Sequence, residues 1–300
     1  MSNFVGSMGR AVVAAILTSV AVVPAEAVGA AALSSATDGQ RPPGISADSA
    51  KLVKPIRIFD GLYYVGTGYV SSYLIRTSDG LILVDALHDD FTEQSLRQIG
   101  ELGFDVGDIR YLIVSHGHRD HVGGATAVLR ASPNARVAMS AEDWKIARDQ
   151  FPGLRQDMVV EDGDTLTLGD VTLRFLVTPG HTPGVTSFLF DVKDGDDVHK
   201  AFLFGGHNVT RPWPGGSDIR QPLESMVSST ARLIRSLPSI DVNLTSHPWA
   251  ALIFERAKLL ENRGGGMPHP FVDPEDFRAF LGAVHGDHRA RLKEIQDADR

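Results

Sequence analysis

The feature that most constrains this chain is a cluster of metal-ligand side chains directly after an apolar stretch. Residues 109–115 read IRYLIVS, and residues 115–124 read SHGHRDHVGG. The second stretch carries three histidines and one aspartate, which are His116, His118, Asp120 and His121. The apolar run predicts a buried strand, and imidazole nitrogens and carboxylate oxygens are common ligands of Zn²⁺. We therefore expect a metal site at the end of a strand, with a helix-capping loop of polar histidines as the alternative.

The spacing inside the cluster suggests ligands for two neighbouring ions. His116 and His118 are two residues apart, so a turn that leaves the strand can aim both the same way. Asp120 and His121 are adjacent and point differently, so they can serve a second ion close by. The chain has no cysteine, which excludes a closed thiolate site, and open catalytic zinc sites favour histidine and carboxylate ligands.

Two more histidines follow strand-like segments further along the chain. His181 lies between two Pro-Gly turns in TPGHTPG, and His247 follows an apolar run in LTSHPW. Taken alone, His181 fits a double turn equally well, and a lone histidine such as His247 is more often structural than ligating. Together with the early cluster, these strand-end histidines predict one metal centre assembled from distant parts of the chain.

Composition narrows the class of partner. The chain has 300 residues, of which 43% are hydrophobic and 22% charged, as in ordinary globular proteins. The formal net charge of -8, with no basic stripe, argues against a nucleic acid partner. We expect a small-molecule substrate. The composition specifies no oligomeric state.

The amino terminus resembles an export signal. Arg10, the apolar residues 11–24 and small residues ending at Ala27 predict a signal peptide over residues 1–27. The apolar run is shorter than the ~20 residues of a membrane span, so we expect no stable membrane insertion; a retained anchor is the alternative. Residues 28–54 are interpreted as a flexible mature N-terminus. The expected location is the periplasm, if the source is a Gram-negative bacterium.

Residues 55–300 read as one α/β domain in which helices cover the outer faces of sheets. A meander of short strands separated by Asp-Gly turns opens it. Further strands are predicted over 109–115, 135–140, 165–178, 186–192 and 200–206. Helices are predicted over 123–132, 141–150, 222–236, 250–262 and 274–297. Residues 151–163 are interpreted as a polar loop.

The motif His-x-His-x-Asp-His at residues 116–121 resembles that of the metallo-β-lactamase superfamily. The resemblance runs from about Pro55 to near the C-terminus, and it implies a four-layer αββα sandwich with the metal site at one edge. It also implies two zinc ions. The first would be bound by His116, His118 and His181, and the second by Asp120, His121 and His247.

Within that superfamily the chain resembles most the third subclass of class B β-lactamases. The shared features are His121 as a ligand, DGDTLTLGDVTLRFLVTPGHTPG and the late HPFVDPEDFRAFL. The implied activity is opening of the β-lactam amide bond by attack of a zinc-bound hydroxide, with Asp120 positioning the nucleophile and relaying its proton. The alternatives are a hydrolase of the same fold that acts on a lactone, thioester or phosphoester, and a non-catalytic metal-binding scaffold.

One segment, LFGGHN at residues 203–208, departs from the family pattern. Glyoxalase- and lactonase-like members carry Gly-Asp here, with an aspartate that bridges both metals, and third-subclass enzymes carry serine. His207 stands at this position, and we expect it to approach the second zinc or to hydrogen-bond its water or the substrate. The alternative is that His207 only fills space behind the ligands.

A β-lactam carries a carboxylate that needs a partner. Asn208, Thr210 and Arg211 are the expected substrate contacts, unless they only shape their loop. Trp213 and Phe151 are candidate pocket aromatics, with packing as the alternative. The remaining histidines are interpreted as surface or structural residues: His88, His199, His269, His285 and His288.

Overall fold

A computed structural model describes residues 51–300, and its strands form two sheets. The first sheet has seven strands in the order β1 to β7. They are β1 Ile56–Phe59, β2 Leu62–Tyr64, β3 Tyr73–Thr77, β4 Gly80–Val84, β5 Ile109–Ile113, β6 Arg136–Ser140 and β7 Met158–Val160. Strands β1 to β4 pair antiparallel, and β4 to β7 pair parallel.

The second sheet has five strands in the order β12-β11-β10-β9-β8. They are β8 Thr165–Leu168, β9 Val171–Val177, β10 Thr186–Asp194, β11 Asp197–Phe204 and β12 Val242–Thr245. All neighbours pair antiparallel except β11 and β12, which are parallel.

Seven α-helices lie among residues 51–300. They are α1 Asp89–Glu101, α2 Arg119–Val122, α3 Ala125–Ala131, α4 Ala141–Gln150, α5 Arg220–Ser236, α6 Ile253–Glu261 and α7 Pro274–Ala298. The Ser140 side chain caps α4 by accepting from the Asp143 amide, and the Asp273 side chain caps α7, whose first residue is the expected Pro274. None of the helices in this part of the chain is long and apolar enough to cross a membrane.

The inner core lies between the two sheets. In β10 the side chains of Phe188, Phe190 and Val192 are buried toward the first sheet, while Asp191 and Lys193, on the opposite face of the strand, are exposed. The rings of Phe175 and Phe188 meet edge to face. This alternation follows from the two-residue repeat of a strand, and it explains why the two sheets pack face to face.

Helices cover the outer face of each sheet. On the first sheet, Leu96 and Ile99 of α1 and Trp144 of α4 belong to one buried cluster. On the second sheet, Met226 of α5 and Phe280 of α7 belong to another. The order helix, sheet, sheet, helix confirms the predicted four-layer αββα fold.

The structure corrects several predicted elements. Helix α1 is not among the predicted helices, and β7 lies inside the stretch interpreted as a loop. The strand expected over 165–178 is a hairpin, because Gly169 adopts a left-handed φ of 54°. The helix expected from residue 250 begins at Ile253, after a 3₁₀ turn that ends in left-handed Leu252. The helix expected over 123–132 is preceded by a separate short helix, α2.

The predicted signal peptide over residues 1–27 lies outside the described residues, as does the 28–50 portion of the predicted flexible segment. In the remainder of that segment, Leu52 forms an isolated antiparallel bridge with Thr67.

The inner core gives a stability prediction. Phe188→Ala removes a fully buried ring between the sheets, so we expect the free energy of unfolding in urea to fall by about 3–5 kcal/mol. The control is Val198→Ala in β11, where the side chain is 57% exposed and the change should stay within about 0.5 kcal/mol. Equal losses in the two variants would contradict this account of the core.

Candidate metal centre

One edge of the sandwich collects the carboxyl ends of strands from both sheets. Strands β4 and β5 are parallel neighbours in one sheet, and β11 and β12 are parallel neighbours in the other. Two main-chain hydrogen bonds join the sheets here: the Thr186 amide donates to Ser115 O at 2.8 Å, and the Ser71 amide donates to Ser246 O at 2.9 Å. Loops that leave these strands therefore meet at this edge.

The first group of converging side chains consists of three histidines. His181 Nε2 lies 3.1 Å from His116 Nε2 and 3.0 Å from His118 Nδ1. His116 and His118 follow β5, whereas His181 follows β9 in the other sheet. Three imidazole nitrogens thus point at one small volume, in the arrangement that a single cation needs.

The second group consists of Asp120, His121 and His247. Asp120 Oδ2 lies 3.4 Å from His121 Nε2 and 4.0 Å from His247 Nε2. Asp120 and His121 belong to α2, and His247 follows β12. Within each group the candidate ligand atoms lie within 4.8 Å of one another. The structure thus brings together the six residues predicted as metal ligands.

Hydrogen bonds on the far side of the rings fix which nitrogen faces the centre. His181 Nδ1 donates to Asn208 O at 2.5 Å, and His247 Nδ1 donates to Tyr69 O at 2.7 Å. A carbonyl oxygen can only accept, so the proton resides on Nδ1 and the Nε2 lone pair points into the group. Ligating histidines in proteins are oriented in this way.

Asp85, in the loop after β4, supports ligands of both groups from beneath. Its buried carboxylate accepts from His121 Nδ1 at 2.8 Å, from the Ser115 amide at 2.7 Å and from Ser115 Oγ at 2.8 Å. Ser115 Oγ also lies 3.1 Å from His116 Nδ1. One carboxylate thus orients His121 directly and His116 through the serine hydroxyl. Sequence reasoning did not single out Asp85.

Burial and mutual repulsion keep most of these imidazoles neutral. Burial, followed by the neighbouring histidines, holds the pKa of His116 well below its usual range. The same causes lower the pKa of His118 to about 3. Burial is the largest cause that lowers the pKa of His181 to about 4 and that of His247 to about 4. Neutral imidazole is the form that binds a metal, so these four histidines are already in the protonation state that metal binding requires.

His121 and Asp120 behave differently because they face opposite charges. Burial alone would lower the pKa of His121, but the carboxylates of Asp120 and Asp85 raise it to about 10. Burial alone would raise the pKa of Asp120, but His121 and the other histidines hold it well below its usual range. The Asp120 carboxylate is therefore ionised at neutral pH, as a ligand must be.

The residues present fit one cation for each group. His121 Nε2 is buried and makes no hydrogen bond, although Asp120 Oδ2 lies near it. The donor set is five imidazole nitrogens and one carboxylate oxygen, with no thiolate, which suits Zn²⁺ in an open site.

His207 departs from the sequence expectation. Its side chain is 2% exposed and its ring meets the ring of Phe280 on α7, with 5.6 Å between the centroids. Neither ligand group among residues 51–300 includes it. The structure places the His207 ring against α7 and outside the second group, while its expected hydrogen bond to the water or the substrate stays a prediction. This placement favours the alternative that His207 fills space behind the ligands.

Gly206, the residue before His207, packs directly against a predicted ligand. A Cβ added at Gly206 would lie 2.9–3.0 Å from the ring of His181, which is closer than a side chain tolerates. The chain after β11 can therefore pass against a ligand only because residue 206 has no side chain.

A cavity of about 300 Å³ opens onto both groups. Asn208, Thr210 and Arg211 line it, as expected of substrate contacts, and Arg211 Nη2 lies 3.4 Å from His118 Nε2. Sequence reasoning missed four further lining residues: Tyr69, Arg119, Gln150 and Trp249. The position of Trp249, two residues after a strand-end histidine, was the available signal.

The two aromatic candidates have different settings. Trp213 lines an adjoining cavity of about 380 Å³, and its Nε1 donates to Gly180 O at 2.8 Å. Phe151 instead packs in the core under the first sheet, so its predicted place in the pocket is replaced by the packing alternative. Among the remaining histidines, His288 is buried and accepts from the Val209 amide at 3.2 Å, which is a structural role.

A family profile described as "Metallo-beta-lactamase superfamily" matches residues 65–199. The subclass B3 metallo-beta-lactamase BJP-1 of Bradyrhizobium japonicum is similar in structure, with a TM-score of 0.74 and 27% identity over 84% of this chain and 98% of that one. The FEZ-1 metallo-beta-lactamase from Legionella gormanii has a TM-score of 0.72 and 27% identity over 82% and 98% of the two chains.

Curated relatives by sequence carry a different name. A hydroxyacylglutathione hydrolase of Francisella tularensis subsp. novicida is 28% identical over 163 residues, which are 53% of this chain and 56% of that protein. A hydroxyacylglutathione hydrolase of a Synechococcus species is 31% identical over 140 residues, 46% of this chain and 50% of that protein. The chain spans about half the length of the curated relatives that it matches.

The support beneath the ligands gives a prediction on metal affinity. Asp85→Asn leaves one oxygen where the carboxylate used two, so His121 and Ser115 can no longer both be held. We expect metal binding to weaken on the order of 10–100-fold, more at the second group than at the first. The measurement is a Co²⁺ titration, monitored by visible absorbance, that resolves the binding of the two ions as separate steps.

Asp79→Asn in the β3–β4 turn is the matched control, because that carboxylate bonds only to its neighbour Ser78 and should change neither step. Unaltered affinities in the Asp85→Asn protein would remove Asp85 from this role.

Proposed function

The chain belongs to the metallo-β-lactamase superfamily of metal-dependent hydrolases, and from this premise we propose that it opens the amide bond of β-lactam antibiotics with the help of two zinc ions. One ion would be held by His116, His118 and His181, and the other by Asp120, His121 and His247. Such ions supply Lewis acidity and lower the pKa of a bound water from 15.7 to about 7.

The make-up of the donor set is the observation that carries this proposal. Asp120 is the single carboxylate among the six converging side chains, and it belongs to the second group alone. A carboxylate that bridges both groups, as in glyoxalase-like members of the superfamily, is missing from these groups; Gly206 and His207 stand at that point of the chain. Likeness to the subclass B3 enzyme BJP-1 and to the FEZ-1 metallo-beta-lactamase, each over 98% of its own chain, supports the same interpretation.

The chain's own residues divide the work in the proposed reaction. The ionised Asp120 belongs to the second group and lines the cavity, where it can orient a nucleophilic water and accept its proton. Arg211 stands at the cavity wall beside His118, where its guanidinium can bind the carboxylate of a β-lactam. Tyr69 and Trp249, with 4.9 Å between their ring centroids, offer an apolar wall beside His247 for the rest of the substrate.

A thioester hydrolase is the second candidate. The curated relatives by sequence are hydroxyacylglutathione hydrolases at 28–31% identity, although the match covers only about half of each protein. The same six side chains would hold ions that supply Lewis acidity for a thioester as well as for an amide, and Arg211 could bind a carboxylate of a glutathione moiety. The two candidates therefore differ in substrate and share the ligand set.

An exported location is part of the proposal. Residues 1–27 read as a signal peptide, and an enzyme that destroys β-lactams acts on them outside the cytoplasm. We propose export to the periplasm with cleavage after about Ala27.

The activity is tested by a direct comparison of substrate classes. The purified protein, with its zinc content measured, is assayed with a penicillin, a cephalosporin and a carbapenem, and in parallel with a homoserine lactone and a glutathione thioester. We expect fast lactam opening that a chelator abolishes and added Zn²⁺ restores. Turnover of the thioester or lactone alone would transfer the function to the second candidate class, and full zinc occupancy without any turnover would favour a scaffold.

Arg211 provides a test of substrate orientation. Arg211→Gln removes the guanidinium that lines the cavity beside His118, so we expect KM for a carboxylate-bearing substrate to rise about tenfold with kcat little changed, because a binding contact away from the reacting bond is lost. Arg211→Lys should give an intermediate KM. Arg130→Gln on the surface of α3, where Arg130 pairs with Glu93, is the control. A fall in kcat with KM unchanged would contradict this role.

A further inference from the structure

We propose that Asp143 is a positioning residue that holds the three-histidine group in shape by clamping its two ligand-bearing loops to helix α4. This inference rests on the metal centre of the proposed function. It concerns how His116, His118 and His181 are held in place before a metal binds, and it does not depend on which substrate is cleaved.

The carboxylate of Asp143 bonds to both loops at once. It is fully buried, and its Oδ1 accepts from the Gly117 amide at 2.9 Å. Its Oδ2 accepts from Thr182 Oγ1 at 2.8 Å, and the carboxylate also accepts from the Gly184 amide. Gly117 separates His116 from His118, and Thr182 follows His181. One side chain thus ties together ligand loops that come from different sheets.

The first and last turns of helix α4 each hydrogen-bond to a peptide group of Gly117. While Asp143 in its first turn holds the amide, Gln150 at its last residue donates Nε2 to Gly117 O at 2.8 Å. A Cβ added at Gly117 would lie 2.6 Å from Asp143 O and 3.0 Å from Ile146 Cβ. The turn between the two ligands therefore rests directly on the helix, and its rotation is fixed by polar contacts on either side.

The second loop approaches the same helix start as closely. A Cβ added at Gly184 would lie 2.2 Å from Ser140 Oγ and 2.8 Å from Asp143 Oδ2. Glycine in both loops, at Gly117 and Gly184, permits the short approach that the carboxylate bridges. A buried carboxylate without a cation costs stability, and here its hydrogen bonds go to the ligand loops.

The two buried carboxylates of the centre act on different ligands. Asp85 touches His121 and reaches His116 through Ser115, so it supports both groups. Asp143 bonds only to residues beside the first group and to its own helix start at Ser140. Loss of Asp143 should therefore affect the two metals unequally, which loss of general stability would not.

The test is a two-step Co²⁺ and Zn²⁺ titration of the full chain, with His118→Ala used to identify the step that belongs to the three-histidine group. Asp143→Asn keeps the shape but offers one oxygen to two amides. We expect the dissociation constant of that step to rise on the order of 10–100-fold, with an altered Co²⁺ visible spectrum, while the other step moves less than threefold.

A second pair of variants keeps the test informative if Asp143→Asn folds poorly. Thr182→Val removes the hydroxyl at nearly constant volume and should lower the metal affinity of the three-histidine step. Thr182→Ser retains the hydroxyl and should keep that affinity close to the wild-type value. Asp157→Asn is the matched control, because Asp157 also accepts a backbone amide, that of Val137 at 3.0 Å, but bonds to neither ligand loop.

The outcomes separate this inference from the proposed function. Equal weakening of both steps, or no change in either, in the Asp143→Asn and Thr182→Val proteins would overturn it. A protein that binds two ions with this selective loss but opens no lactam would end the proposed function and leave the inference standing. A wild-type chain that binds no divalent metal would overturn both.

Discussion

The junction of the two sheets at one edge is the constraint on which the rest of the structure depends. Main-chain hydrogen bonds from Thr186 to Ser115 and from Ser71 to Ser246 hold the end of β5 against β10, and the end of β12 against the loop before β3. Ligands that lie far apart in the sequence meet because the strands that carry them end at this edge. A shift of one sheet along the other would move apart the ligands within each group, because each group has members from both sheets.

Electrostatics then decides the state of the assembled side chains. Burial and mutual repulsion keep four of the five histidines neutral, and fixed acceptors such as Asn208 O and Tyr69 O select the ring nitrogen that faces the centre. An arrangement of this kind is unfavourable for an isolated protein, since closely packed lone pairs repel. A bound divalent cation would relieve that repulsion, and this explains why the side chains are clustered.

Much of the architecture could be predicted because it follows from local patterns. Two-residue alternation in 186–192 and apolar runs such as 109–115 specify strands, and strand-end histidines anticipate the centre. The hairpin at Gly169 was read as one strand because its turn depends on a single left-handed residue. The sequence analysis does not predict helix α1. Its apolar face, at Leu96 and Ile99, is stabilised by packing on the first sheet.

The sequence by itself determined the ligand types, their order along the chain and the class of fold, because these depend on residue chemistry and short-range periodicity. Only the tertiary structure decided which neighbours of the ligands face the cavity. His207 turns to Phe280 while Gly206 lies against His181, and Asp85 and Asp143 act through hydrogen bonds to loops distant in sequence. Side-chain direction at these positions is set by packing across layers, which no local pattern encodes.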